Sequence, residues 1–179
     1  MGRTYSVNGY INAVRQRSSP TMLVEGPTDK AAMHRLVIER PLSSELHFSI
    51  DHSAIFEDAS LKGQGAKAKV LHVASEVNRL TQKFTKLSSI FAHLVDREWD
   101  GLSSDPKQAV ETWTEPQQAG TSFVTIGHSI ENYHFHADCF IDYLKFGFAE
   151  HFSSEVDALV RRLFANAIAL AGAVSCQAR

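Results

Sequence analysis

With 179 residues, the chain is sized for one domain, with room for an appendage. It is 44% hydrophobic and 21% charged, enough apolar side chain to bury a core, which excludes a compositionally disordered chain. The formal charge of −2 argues against a free-standing, salt-driven nucleic-acid binder, though not against a local basic face.

In chain order, Val7, Tyr10, Ile11 and Val14 fall at helical spacing, with Arg15 and Arg17 beside them, and predict a short helix ended before Pro20. Thr21 to Val24 read as a first strand. Pro27 suits a first helical turn, and Ala31, Met33, Leu36 and Val37 carry that helix to about Arg40-Pro41. Leu46 to Ile50 alternate as a second strand. After the flexible turn Gly63-Gln64-Gly65, residues Val70, Val73, Val77, Leu80, Phe84 and Leu87 step by three and four, which predicts an amphipathic helix. Ile90 to Val95 form a third strand. The polar stretch from Gly101 to Gly120 reads as surface loop, and Phe123, Val124 and Ile126 as a fourth strand.

Ser129 then suits the cap of a helix with Ile130, Tyr133, Ala137, Ile141 and Leu144 on one face. A last helix after Ser153-Ser154 carries an apolar face almost to the end of the chain. That face predicts packing on this domain or on a partner, or further protein beyond residue 179. The alternation of strands and helices predicts an α/β fold with a mostly parallel sheet flanked by helices. The expected division is an N-terminal helix (1–19), a core (20–128) and a C-terminal helical region (129–179).

The chemistry concentrates where apolar runs stop at acids. Leu23-Val24 leads into Glu25-Gly26-Pro27-Thr28-Asp29, and Leu94-Val95 into Asp96-Arg97-Glu98-Trp99-Asp100. Buried parallel strands deliver side chains to the sheet rim, where open α/β folds bind ligands. Five carboxylates on two such rims predict a site for a hard divalent cation, Mg²⁺ or Mn²⁺. Gly26 would let backbone approach a ligand, and Asp29 can face back toward Glu25 or merely complement a helix dipole. In an extended segment Asp96, Glu98 and Asp100 would share one side of the chain. Taken alone, that run also fits a solvated acidic turn.

These two elements resemble the TOPRIM domain of topoisomerases, bacterial primases and OLD nucleases, marked by a Glu after the first strand and Asp-x-Asp after a later one. Glu25 matches the first; Asp96-Arg97-Glu98 matches the second, with Glu98 one methylene longer than the expected Asp. Ser129-Ile130-Glu131-Asn132-Tyr133 is similar to the S-x-E-N-Y element of the DUF4435 group of OLD-like TOPRIM proteins, and the likeness spans roughly residues 20–145. It implies a TOPRIM (Rossmann-like) core and a metal-dependent nuclease. Glu25, Asp96 and Glu98 would hold one ion, with Asp29, Asp100 and Glu131 supporting a second. Members of the group accompany ABC-type ATPases in bacterial anti-phage defence, PARIS among them. By likeness the chain is a toxin-like effector cutting RNA, tRNA in particular, when released by an AriA-like ATPase. Homo-oligomerisation of the active form is left open.

Six of the 18 Lys and Arg lie between positions 62 and 86, against the single acid Glu76. Lys62, Arg79, Lys83 and Lys86 are candidates for phosphate contacts, although such runs are usually solvated helix faces. Lys67, near the rim, is a candidate for neutralising charge that develops in phosphoryl transfer. Gly63-Gln64-Gly65 lacks both P-loop and dinucleotide spacing. His128, at a predicted strand end, is the one histidine retained as a site candidate. Cys139 and Cys176 form no CxxC and read as ordinary thiols of a reducing cytosol. No apolar run approaches the ~20 residues of a membrane span, and Met1 to Tyr5 lacks a signal-peptide core, so the expected location is cytoplasmic. A DNA nickase with the same carboxylates, and a non-catalytic subunit of an ATPase complex, are the competing readings.

Overall fold

The computed structural model describes residues 4–39, 48–98, 100, 118–125, 129 and 136–177. The chain forms two compact units, Met1–Ile130 and Glu131–Arg179.

The first unit is an α/β fold around four parallel strands. They are β1 (Thr21–Val24), β2 (Ser49–His52), β3 (Phe91–Val95) and β4 (Ser122–Val124), in spatial order β2-β1-β3-β4. Leu23 stands opposite Asp51 on one side and His93 on the other. The second strand thus lies slightly later than the alternation of Leu46 to Ile50 predicts; residues 46 and 47 are outside the described residues. The chain leaves β1 toward β2, then returns past β1 to β3. The order therefore reverses between β1 and β3, and such a switch point opens a crevice at the carboxyl ends of the two strands.

Helix α1 (Val7–Gln16) is capped by Ser6, whose hydroxyl accepts from the Gly9 N–H at 3.2 Å. Its Val7, Tyr10, Ile11 and Val14, at the predicted i, i+3, i+4, i+7 spacing, are all buried. They pack with Val70, Val73, Ala74 and Val77 of α3 (Ala66–Thr81) against Leu23, Phe91 and Val95. The leading helix is thus part of the same core as the sheet rather than a segment apart. The periodicity that predicts one helix through Leu87 is divided: α3 stops at Thr81, and a short α4 (Leu87–Ile90) comes after a turn. α2 (Pro27–Glu39) connects β1 to β2. The two crossovers run in opposite directions along the sheet, and the right-handed crossover rule predicts α2 and α3 on opposite faces.

Arg17, just past α1, fixes that helix to the sheet. Its Nη1 lies 2.6 Å from Asp51 Oδ2 and donates to Thr21 Oγ1 at 2.9 Å, while the fully buried Tyr10 hydroxyl donates to the same Asp51 oxygen at 3.1 Å. Removal from water and the adjacent Asp51 charge hold the Tyr10 phenol well above its ordinary value.

His93 is a buried histidine on β3. Its Nε2 pairs with Ser122 Oγ at 3.1 Å, its Nδ1 has no partner among the described residues, and burial pulls the imidazole below its usual value. The folded chain therefore binds this proton less readily than the unfolded chain. Stability should fall as pH drops below about 6.5, before carboxylates titrate. A His93→Gln variant is expected to lose that decline between about pH 6.5 and 5. Thermal melts of the two chains across this range check it; parallel curves would clear His93.

The second unit comprises α5 (Ala137–Phe148) and α6 (Ser154–Gln177). α5 begins at Ala137, where His136 caps it by accepting from the Asp138 N–H at 3.3 Å, so Ser129 is not its cap. Ser153 does start α6, accepting from the Val156 N–H at 3.3 Å. Arg161 ties the pair together, 2.6 Å from both Asp138 and Asp157. A groove of about 510 Å³ runs between the helices, lined by Phe140, Tyr143, Leu163 and Ile168 among others. Among the described residues, no helix is long and apolar enough to cross a membrane.

Candidate functional site

Glu25 and Asp96 come directly after β1 and β3, the strands that flank the switch point. The Asp96 N–H donates to Glu25 Oε1 at 2.8 Å, closing the two strand ends on each other. On the other side, the Glu25 carbonyl accepts from Ser53 Oγ at 2.6 Å and from the Ser53 N–H at 3.2 Å. The rim of β2 is thereby joined to that of β1. Burial pushes the Glu25 carboxyl above its ordinary value; the Asp96 N–H works against this, and the Asp96, Glu98 and Asp29 charges add to it.

Asp29 is buried, and its Oδ2 accepts from the Gly26 N–H at 2.7 Å. It is the third residue of α2 reaching back to the N-terminal cap, one half of a capping box. One of its oxygens is therefore committed to holding the helix start. A Cβ on Gly26 would meet this oxygen at 3.6 Å, an ordinary contact, so the fold itself does not demand glycine there.

The acidic run after β3 is not extended. Asp100 N–H donates to the Arg97 carbonyl at 3.1 Å, closing a turn, and Glu98 sits at φ 53°, in the left-handed region. That conformation costs a β-carbon-bearing residue about 1–2 kcal/mol. The turn is anchored from beneath by Arg97. This side chain is 5% exposed; its Nε donates to the Asp100 carbonyl at 3.1 Å and its N–H to Thr125 Oγ1 at 2.9 Å. Thr125 in turn donates its N–H to the Val95 carbonyl at 3.0 Å. A Glu98→Gly variant is expected to gain about 1 kcal/mol by relieving the left-handed backbone while losing the carboxylate. Chemical denaturation measures the gain. A loss of stability would mean that the Glu98 side chain holds the turn.

Lys67 stands at the start of α3. Because α3 returns from the carboxyl edge of β2 toward the amino edge of β3, its first turn is at the acidic rim. Lys67 Nζ is 2.7 Å from Asp100 Oδ2, 3.6 Å from Glu98 Oε2 and 3.4 Å from the Arg97 carbonyl. Burial pulls its ammonium down, but the Asp100 hydrogen bond and the Asp100, Glu98 and Glu25 charges outweigh it and hold the group above the ordinary lysine value.

The rim thus gathers Glu25, Asp29, Asp96, Glu98, Asp100 and Lys67. The oxygen donors are those a hard cation prefers. Among the described residues, no group of three or more His, Cys, Asp or Glu side chains is placed to hold a metal ion. His128 and Glu131 lie outside the described residues, as do Trp99, Asn132 and Tyr133.

The basic candidates divide. Lys62 is exposed in the turn before Gly63, near the start of α3. Arg79, Lys83 and Lys86 lie at or beyond its other end, about 20 Å away along the 1.5 Å rise per residue. Arg79 is paired within its helix to Glu76 at 2.7 Å. Lys86 donates to the Arg17 carbonyl at 3.3 Å, and Lys83 lies 5.6 Å from the Phe84 ring, over which Arg15 stacks at 3.6 Å. These three cations are at the amino edge of the sheet and form no part of the acidic rim. Sequence reasoning missed the supports Ser53, Thr125 and Arg97. A buried Arg between two acids has no periodic signature, and the hydroxyls mark their roles only by their place after strand ends.

No protein-family model matches the chain, and no curated protein matches it.

Proposed function

We propose that the chain is a metal-dependent nuclease of TOPRIM type, acting at the rim formed by Glu25, Asp96, Glu98 and Asp100. The observation that carries this reading is the pairing of Glu25 with Asp96 across adjacent parallel strands at a topological switch point. Burial, with the nearby Asp96, Glu98 and Asp29 charges, lifts the Glu25 carboxyl above its ordinary value, and groups perturbed in this way cluster at functional sites. A bound Mg²⁺ or Mn²⁺ would supply charge neutralisation at a phosphodiester. Lys67 presents the one ammonium held at these acids among the described residues, suited to a phosphoryl oxygen.

The resemblance of Glu25, Asp96-Arg97-Glu98 and Ser129 to Tyr133 to the DUF4435 group extends the proposal. The chain would then be an effector similar to AriB of the PARIS anti-phage system, cytoplasmic, restrained by an AriA-like ABC-type ATPase and cutting tRNA on release. The exposed Leu159, Leu163, Leu170 and Val174 on α6 are compatible with life in a complex.

The test is incubation of the full chain with total tRNA and with supercoiled plasmid, with Mg²⁺ or with EDTA, beside Asp96→Asn. The expected result is Mg²⁺-dependent RNA cleavage that the variant lacks. Plasmid nicking in place of RNA cleavage selects the DNA nickase. A second reading, a non-catalytic subunit, draws on the lack of a three-ligand cluster among the described residues. Cleavage of neither substrate, with toxicity in cells unaltered by Asp96→Asn, would establish that reading.

A further inference from the structure

The amino edge of the sheet carries charge opposite to that of the acidic rim. No Asp or Glu occurs at positions 1–24 or 77–95, the segments that lead into and contain β1 and β3, while Arg15, Arg17, Arg79, Lys83 and Lys86 all fall there. Two of these cations have a carboxylate: Arg17 lies 2.6 Å from Asp51 and Arg79 2.7 Å from Glu76. The other three, Arg15, Lys83 and Lys86, have no ion-pair partner among the described residues, and all three border one cavity of about 350 Å³. Its walls are Asn12, Arg15 and Gln16 at the end of α1 and residues 83–86 in the turn between α3 and α4, with no acid among them.

These cations are held in place to an extent that a solvated surface cluster is not. The Arg15 guanidinium stacks 3.6 Å from the centre of the Phe84 ring, and its Nη1 donates to Asn12 Oδ1 at 3.2 Å. Phe84 is in turn packed against the buried core. The remaining N–H groups of that planar fork suit the oxygens of a phosphate. Lys86 Nζ donates to the Arg17 carbonyl at 3.3 Å, which uses one of its three N–H groups. Lys83 Nζ lies 5.6 Å from the same Phe84 ring. The ordinary reason for cations here is the end of α1, a helix C-terminus worth about half a negative charge. Lys86 on the Arg17 carbonyl already meets that partial charge, and two full positive charges remain. We infer that this cavity is a phosphate-binding site, separate from the acidic rim, for the phosphate of a nucleotide or of a nucleic-acid backbone. Arg15 supplies the fork, Lys83 and Lys86 the ammonium groups, and the site stands whether or not the rim cuts.

Two measurements on the full chain test it, both in EDTA so that metal-dependent cleavage does not intervene. In the first, lysines are labelled by reductive methylation and read by peptide mass spectrometry. The chain is kept in chloride alone or, at equal ionic strength, with inorganic phosphate, AMP or a short unstructured RNA oligonucleotide. Labelling of Lys83 and Lys86 is expected to slow several-fold in at least one arm, with Lys145 of α5 as the internal reference. Slowing by phosphate or AMP identifies a small ligand, and slowing by RNA alone identifies a strand backbone. No slowing in any arm, or equal slowing at Lys145, overturns the site.

The second measurement compares Lys83→Gln/Lys86→Gln with Lys69→Gln/Lys145→Gln, a pair that removes the same charge elsewhere. Affinity is read by calorimetry for phosphate and AMP and by fluorescence anisotropy for labelled RNA. The first pair is expected to weaken binding about tenfold and, for RNA, to lower the log–log salt slope by about 1.4, two contacts at about 0.7 each. Equal weakening by both pairs reports overall charge and overturns the site. The labelling needs no variant, so misfolding of the first pair leaves the test intact. Protection of Lys83 and Lys86 in a chain that cleaves neither RNA nor DNA keeps the phosphate site and discards the nuclease. Mg²⁺-dependent cleavage without protection does the reverse.

Discussion

Replacing Glu25 by Gln is expected to make the chain more stable and, under the proposed function, inactive. The amide keeps the shape and the acceptor for the Asp96 N–H, so the clasp between β1 and β3 survives. The substitution removes a partly buried charge facing three other carboxylates. Linkage gives the sign of the effect. Burial and these neighbours raise the folded value of Glu25 above the unfolded one, so the folded chain binds this proton more tightly. The ionised group therefore lowers stability as pH rises from about 4.3 through its raised folded value. The gain from Glu25→Gln should be full at neutral pH and fade below about pH 4.3. Melting curves at both pH values measure it. Cleavage should fall roughly 10²- to 10⁴-fold, the range for loss of a group acting directly on the reaction. A variant that melts lower, or that keeps full Mg²⁺-dependent cleavage, would remove Glu25 from the site. A rise in stability with a loss of activity is the usual mark of a functional site maintained against the fold's own preference.

The sequence makes Glu25 and Asp96 legible because strand ends obey a simple pattern, an apolar run that stops. In a parallel sheet, all such ends emerge at one edge, and it remains only for β1 and β3 to be neighbours. The residues after Asp96 are harder to read. Alternation places Asp96, Glu98 and Asp100 on one side only while the backbone is extended. Glu98 at φ 53° breaks that premise, and left-handed Glu is rare enough that no sequence rule anticipates it. Glu98 and Asp100 nonetheless meet on Lys67, by a turn rather than by a strand. The basic stretch misleads for a different reason. Positions 67 and 86 are near in sequence, but a 16-residue helix separates the two ends of α3 by about 24 Å. Periodicity identifies the helix; its direction, set by the parallel strands on either side, decides which lysines reach the acids. Asp29 is legible as either a site acid or a helix-start acid. Its bond to the Gly26 N–H gives one oxygen to the second role.

Arg97→Ala is expected to be the most damaging single change at the rim. Its guanidinium is buried among elements whose own charges are largely exposed, and it supports the turn from the inside by donating to the Asp100 carbonyl. Truncation would leave that carbonyl and the surrounding polar groups without their charged donor, at about 3 kcal/mol. For a chain of this size that corresponds to a fall in melting temperature of about 6–12 °C. Thr125→Val provides the control. It removes the acceptor of the Arg97 backbone N–H while conserving the shape, so the expected loss is about 1 kcal/mol. Arg97→Lys separates charge from geometry: the ammonium preserves the charge but has no Nε in a planar fork to reach Asp100. If Arg97 acts by placing Glu98 and Asp100, the Lys variant should fold yet bind Mn²⁺ some 10- to 100-fold more weakly, as when the supports of a metal ligand are removed. If all three variants melt like the wild type, the turn is held by something other than Arg97. If Arg97→Lys folds and binds Mn²⁺ normally, burying a positive charge beneath the rim is the whole of its role. If it binds Mn²⁺ more weakly, the two cations of this rim divide the work, with Arg97 fixing the turn from below and Lys67 balancing its charge.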